Sequence, residues 1–360
     1  LETDGSLDQN FNPNLSSWPT TMILQNDGKI LIGGWFNSVG GIGRSHIARL
    51  ATDGSVDMGF SPSAESTIFC LGIEADGSIL MGGGFTQING IGRNRMARVS
   101  RNGVLDNNFN PNLDKAVYSM SQQADGSILL GGEFTMVGGT TRNHVAKISN
   151  NGAADTSFNP NVNQTVYCLT QQNDGKVLIG GNFTQIGTTA RKGFAQLLNN
   201  PSTQTLSVEA GTRVLWTREG SAPDVSRPSF ELSIDGGSQF TPLSGEAVRV
   251  GSSANWQLEE LNLPESGIIR ARGRTFGGYR SNSSGLVDYS ANFGLYAEPV
   301  ISYVARSTGS TSGGTRVLIN GHHLTGATAV TFGNIAAAKY TVLSATQILA
   351  ETPAMEEGIV

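Results

Sequence analysis

The sequence predicts an all-β chain of β-propeller blades cut to a 49-residue repeat, followed by two further β modules. Three observations carry this. First, Asp27, Asp76, Asp125 and Asp174 recur at a constant step, as do Gly33, Gly82, Gly131 and Gly180, then Arg44, Arg93, Arg142 and Arg191, and Phe11, Phe60, Phe109 and Phe158. Four copies without an insertion require a rigid unit whose neighbours stack in equivalent surroundings. Second, the centre of each copy, as in Ile79-Leu80-Met81, is apolar at consecutive positions. Such a strand is covered on both faces, as the central strands of propeller blades are. Third, no stretch keeps a helical period, which excludes helix-based repeats.

Within a copy the elements follow in order. A first strand, Val117-Tyr118-Ser119-Met120 or Val166-Tyr167-Cys168-Leu169, is rich in β-branched and aromatic residues. An Asp-Gly pair (27–28, 76–77, 125–126, 174–175) turns the chain and predicts a two-residue type I′ hairpin into the apolar second strand. That strand stops at paired glycines, where backbone or an aromatic of the next blade is expected to come close, with Phe36, Phe85, Phe134 and Phe183 filling the space. A third strand alternates apolar and polar residues, Ile47-Ala48-Arg49-Leu50 and Val145-Ala146-Lys147-Ile148, and is expected to be half exposed. Asp53-Gly54, Asn102-Gly103 and Asn151-Gly152 mark another turn before the Phe of "FNPN" or "FSPS". The Arg44 column reads either as a ring of anion ligands or, more in keeping with ordinary use, as ties to carbonyls or to the recurring Asp8, Asp57, Asp106 and Asp155.

Residues 1–14 match only the tail of a repeat, so the propeller region is placed at 1–198 as a partial blade and four repeats, with further copies expected upstream. A linker occupies 199–205, a sandwich module 206–297, and a second module, expected to be incomplete, 298–360. Glycine at 47 of 360 residues suits a turn-dense β protein. A net charge of −5 with 15% charged residues leaves no basic stripe for a nucleic-acid backbone, and no run of apolar residues is long enough to span a membrane. Cys70 and Cys168 share one repeat column two blades apart, too far for a disulfide, and read as small buried fillers.

The later modules have their own grammar. "TRVLWTREG" sets a Trp on an early strand, "SFELSIDGG" ends in a turn, and "WQLEELNLPESGIIRARGR" joins two alternating strands through Leu263-Pro264 and Gly267. This spacing resembles fibronectin type III modules, which share the sandwich architecture of immunoglobulin domains. Arg270, Arg272 and Arg274 lie on one side of the last strand, as a solvated face or, less in keeping with such rows, an anion-binding one. Pro299, Ile301, Gly309, Gly313-Gly314-Thr315, Val317, Ile319, Gly321, Leu324, Gly326-Ala327-Thr328, Val330 and Phe332-Gly333 make 299–354 similar to the Ig-like IPT/TIG module. The two later modules are thus expected to be Ig-like β-sandwiches. The repeat itself resembles the delta-60 type, in residues 47–60 and 172–183. Both resemblances imply a secreted or cell-surface bacterial protein, and neither implies a reaction.

Chemistry is sparse. No phosphate-binding loop or nucleophile elbow is present. Adjacent His322 and His323 would face opposite ways on a strand, which does not suit one zinc ion. No cofactor is expected. Calcium is the alternative raised by Asp4 with Asp8 and Asp53 with Asp57, but Asn102 and Asn151 replace the first Asp in later copies, and turn or capping duties explain both residue types. An enzyme is not expected, because an active site needs a singular cluster whereas repeated identities serve stacking. Recognition instead suits columns that vary: Trp35, Gly84, Glu133 and Asn182, and His46, Arg95, His144 and Gly193. The expected role is structural, adhesive or ligand-presenting, with a protein or glycan at the cell surface as partner. The alternative is a carbohydrate-binding accessory region of a polysaccharide-active enzyme.

Overall fold

The computed structural model describes residues 5–275, 285–294, 300–306, 308–322, 324, 327–344 and 346–356, all strand, turn and loop. Two compact units divide the chain: Leu1–Glu231 with Thr241–Leu261 and Arg270–Ala291, and Leu232–Phe240 with Asn262–Ile269 and Asn292–Val360.

Each repeat is a three-stranded antiparallel sheet with the second strand in the middle. The first strands are Pro19–Leu24, Ile68–Ile73, Val117–Gln122 and Val166–Gln171; the second are Ile30–Gly34, Ile79–Gly83, Ile128–Gly132 and Val177–Gly181; the third are Ile47–Leu50, Met96–Val99, Val145–Ile148 and Phe194–Leu197. Alternation along the second strand divides its side chains between two interfaces. Leu31 joins the core that contains Ile79 and Met81 of the next blade, and Leu129 joins the one that contains Val177 and Ile179. The consecutive apolar residues are therefore one strand serving two neighbours. The terminal faces show the converse: Met22 is 48% exposed where Leu71 and Met120 are buried, and Phe194 is 64% exposed where Met96 and Val145 are buried. Cys168 is exposed for the same reason, unlike the buried Cys70, so only one of the two cysteines is a buried filler, and both are free thiols.

The paired glycines have separate duties. A Cβ on the first would meet the next blade, Ile68 from Gly33 and Val166 from Gly131, so aliphatic side chains rather than aromatics take the space. A Cβ on the second would lie 2.2 Å from the Thr67 carbonyl oxygen at Gly83 and 2.2 Å from that of Ala116 at Gly132. Phe85 and Phe134 of the same blades sit against these second glycines.

The Asp-Gly turns differ from the expected type. Gly28 has φ +81°, but Asp27 is not left-handed, as a type I′ turn would require. Gly28 N donates to Gln25 O at 3.0 Å and Gln25 N to Lys29 O at 2.8 Å, which is a three-residue loop ending in a left-handed glycine. The aspartate is selected by its side chain: Asp27, Asp76, Asp125 and Asp174 each accept a hydrogen bond from the amide two residues on.

The third strand is buried on both sides, not half exposed, in the first three copies. Its polar residue is clasped by the following segment. Arg49 Nε donates to Asp57 Oδ2 at 2.8 Å and its guanidinium lies 4.6 Å from the Phe60 ring centre. Arg98 repeats this with Asp106 and Phe109, and Lys147 with Asp155 and Phe158. Arg49 Nη1 and Arg98 Nη1 also reach the turns of the next blade, donating to the Arg101 and Asn150 carbonyls at 2.6 and 3.0 Å. The Arg44 column ties down carbonyls, as Arg93 does at Gly92 and Arg142 at Thr141 and Asp155, and leaves the carboxylates to the clasp.

After the repeats, two four-stranded sheets are formed. One contains Ser202–Glu209, Arg213–Gly220, Trp256–Leu258 and Val248–Arg249, and the other Thr241–Pro242, Ser226–Ser233, Ser266–Arg274 and Leu286–Gly294. Trp216 of the first meets Phe230 of the second edge-on, ring centres 6.5 Å apart. Arg270 pairs with Glu231, and Arg272 with Asp288 and Glu231, so these arginines are ion-paired across strands. In the second unit, Val300–Ala305, Arg316–His322, Gln347–Glu351 and Lys339–Ser344 form a sheet around Val317, Ile319, Leu324, Ile348 and Ala350. His323, the side chain of His322, and Asp4 lie outside the described residues.

Gly132→Ala forces a backbone shift against Ala116 and is expected to destabilise by about 1–3 kcal/mol in urea unfolding, whereas Gly92→Ala, with open space around it, stays near wild type. Asp57 is held at about 2 by Lys29, Gly59 and Arg49 against its burial; at Asp155, burial is outweighed by Lys147 and Ser157, again giving about 2. Both are depressed, so their contribution is complete above the unfolded value and is lost as the pH falls from about 4 to about 2. Melting temperatures of Asp57→Asn and Asp155→Asn should accordingly vary less than wild type across that window.

Candidate functional site

The strand directions give the propeller region two ends. At one lie the Asp-Gly turns between first and second strands. At the other, the second strand finishes at its glycines, opposite the start of the first strand.

The glycine end gathers both variable columns. The backbone of the first is pinned, Trp35 N to Trp18 O and Glu133 N to Ala116 O, both at 2.9 Å, which leaves the side chains free to differ. Trp35 is 51% exposed and Trp18 78%. Beside this column runs an aromatic row on the first strands: Phe69 lies 5.2 Å from Tyr118, and Tyr118 lies 5.7 Å from Tyr167, between ring centres. Asn182 Nδ2 donates to Tyr167 Oη at 2.9 Å, and a Cβ on Gly84 would touch the Phe69 ring. The first column and the aromatic row therefore form one surface of stacking rings and hydrogen-bonding groups.

His46, Arg95, His144 and Gly193 sit at the same end for a backbone reason. Their φ angles are +63°, +66°, +64° and +75°. The amide of each donates to the Phe two residues beyond the glycine pair, and its carbonyl accepts from the second glycine of that pair, as His46 does with Phe36 and Gly34. The His46 and His144 rings turn back onto the Gly34 and Gly132 carbonyls at 2.9 and 3.3 Å, and Arg95 onto that of Gly84. Burial holds the His144 imidazole below its ordinary value, although the Gly132 carbonyl acts in the other direction. This column is constrained in backbone shape: His46, Arg95 and His144 turn onto nearby carbonyls, and Gly193 holds the same left-handed backbone with no side chain.

The turn end is occupied differently. Between two sandwich strands, residues 221–225 lay an extra strand-like segment along the third blade. Gln123 and Pro223 form a β-bridge, Ala124 N donates to Ala222 O, and Asp224 N donates to Gln122 O, both at 2.8 Å. Gln123 and Gln171, from adjacent blades, both donate to Ser221 O. Asp224 is anchored in turn by both Arg249 terminal nitrogens, at 3.1 and 2.9 Å. Alongside is a polar cleft of about 440 Å³ walled by Glu74, Arg98, Asp106, Asp125, Arg249 and Ser253. Burial pushes the Glu74 carboxyl up to about 7 in spite of Arg98 nearby.

Sequence reasoning found the two columns but not the aromatic row, although an aromatic in three of four copies at 20, 69, 118 and 167 was a usable signal. The docking segment had no such signal, because its contacts are backbone hydrogen bonds. The carboxylates considered for calcium have protein partners: Asp53 accepts from the Ser55 amide and hydroxyl, and Asp57 from Lys29 and Arg49. Among the described residues, no group of three or more His, Cys, Asp and Glu side chains is arranged to hold a metal.

Residues 25–60, 74–109, 123–158 and 172–200 match the family described as a beta-propeller domain of unknown function, DUF5122. Residues 299–360 match the IPT/TIG domain. No curated protein matches the chain.

The left-handed column supplies its own test. His144→Gly should leave the urea midpoint nearly unchanged, whereas His144→Val, with a branched Cβ at positive φ, is expected to lower stability by about 1–3 kcal/mol. Equal effects of the two would contradict a backbone role.

Proposed function

We propose that this chain, which carries four propeller repeats of the DUF5122 family and an IPT/TIG domain, is a non-catalytic, ligand-presenting and adhesive segment of a large secreted or cell-surface bacterial protein. Both domain types are typically binding or structural modules. One observation carries the reading. The repeated Asp57, Asp106 and Asp155 and Phe60, Phe109 and Phe158 are consumed by the clasps, while Trp35, Glu133 and Asn182, which differ from blade to blade, stand at the glycine end beside the aromatic row. A surface of that kind changes ligand without changing scaffold.

The row of Phe69, Tyr118 and Tyr167, with Trp35 exposed and Glu133 and Asn182 as hydrogen-bonding groups, also supports a second reading, carbohydrate binding as an accessory to a polysaccharide-active enzyme. Sugar rings offer an apolar face to an aromatic and hydroxyls to neighbouring polar groups. The full chain applied to a glycan array and to a panel of surface proteins separates the two. Whichever class is bound, a Trp35→Ala, Glu133→Ala double variant of unchanged melting temperature should lose at least tenfold in affinity. Undiminished binding would remove the glycine end from the mechanism.

A further inference from the structure

The strand pair Arg213–Gly220 and Trp256–Leu258 brings Trp216 and Trp256 into register. Arg218 follows two residues after Trp216 on the same inward face and is only 2% exposed. Its guanidinium lies 4.6 Å from the Trp216 ring centre, and that of Arg249 lies 4.5 Å from the Trp256 ring centre. The two arginines are treated unequally. Arg249 donates to both Asp224 oxygens and to the Ser253 and Val225 carbonyls. Among the described residues, Arg218 Nε, Nη1 and Nη2 meet no hydrogen-bond acceptor, nor do the buried Trp216 and Trp256 indole nitrogens.

The charges that act on Arg218 are Asp224, already engaged, and the like-charged Arg249. A guanidinium stays protonated in proteins, so burial here leaves a positive charge in excess as well as unpaired N–H groups. Ring contacts ease the charge without supplying hydrogen-bond acceptors. Water would supply acceptors but no negative charge. We propose that Arg218, with the Trp216 and Trp256 indoles, forms an internal binding site for a small monovalent anion of halide type, which completes the core of this sandwich.

Thermal unfolding of the full chain in sodium chloride against sodium gluconate at equal ionic strength tests the site. The midpoint should be several degrees higher in chloride, rise saturably with its concentration as binding to the folded state alone requires, and show no such difference in Arg218→Met. Equal wild-type midpoints, or an undiminished difference in Arg218→Met, would overturn the proposal. Should Arg218→Met fail to fold, Trp256→Phe, which removes one donor and keeps an aromatic ring, must reduce the chloride shift. Crystals grown in bromide provide an independent readout: an anomalous peak beside Arg218 is expected, and water alone there refutes the site.

Discussion

Mutual cover between neighbouring blades is the constraint on which the rest of the propeller region depends. A three-stranded sheet with apolar residues on both faces of its central strand is not stable by itself, since one face always meets water. Ile79 and Met81 share one core with Leu31 of the preceding blade, while Leu80 between them joins the core of the following blade, so one strand completes two cores. The spacing must then be close and uniform. Gly83 and Gly132 let the first strand approach within the reach of a missing Cβ, while Ile68 and Val166 fill the room left by the glycines before them. An insertion in one copy would break the equivalence for its neighbours, which accounts physically for a period held through four copies.

A second device extends this cover to the blade edge. The alternating third strand would present Arg49, Arg98 and Lys147 to solvent if it stood alone. Each is instead folded beneath an aspartate and a phenylalanine of the following segment, and two of the three reach on to the next blade's turn. Such a partly buried ion pair is favourable only when its geometry is good and its remaining donors find acceptors, and for Arg49 and Arg98 the Arg101 and Asn150 carbonyls each take one. The fourth copy has Gln196 at this position.

The two ends of the blades consequently have different work. At the turn end, the Asp-Gly loops and adjacent strand ends offer backbone groups, which residues 221–225 take up, locked by Asp224 and Arg249. At the glycine end, backbone hydrogen bonds hold the first variable column in place, and Trp35 stands exposed on it. A rigid backbone carrying side chains that differ from blade to blade is what a recognition surface requires, and the proposed function rests on that division.

The repeat, the buried second strand and the later β modules were all legible in the sequence, because each depends on periodicity and local chemistry, whereas the choice of the Arg44 column between carbonyls and aspartates was left to the fold. The type I′ turn was misread because Asp-Gly suits two hairpin geometries, and only the hydrogen bonds between Gln25, Gly28 and Lys29 distinguish them. The third strand was misread because alternation reports polarity, whereas exposure depends on whether a distant Asp and Phe arrive to cover the polar side chain. By itself, then, the sequence determined the period, the strands and which residues vary, since these are properties of neighbours along the chain. Only the tertiary structure decided which varying positions face outward, that the His46 column answers to backbone shape, and that Arg218 is enclosed with no hydrogen-bond acceptor among the described residues, since each depends on atoms that folding brings together from far apart.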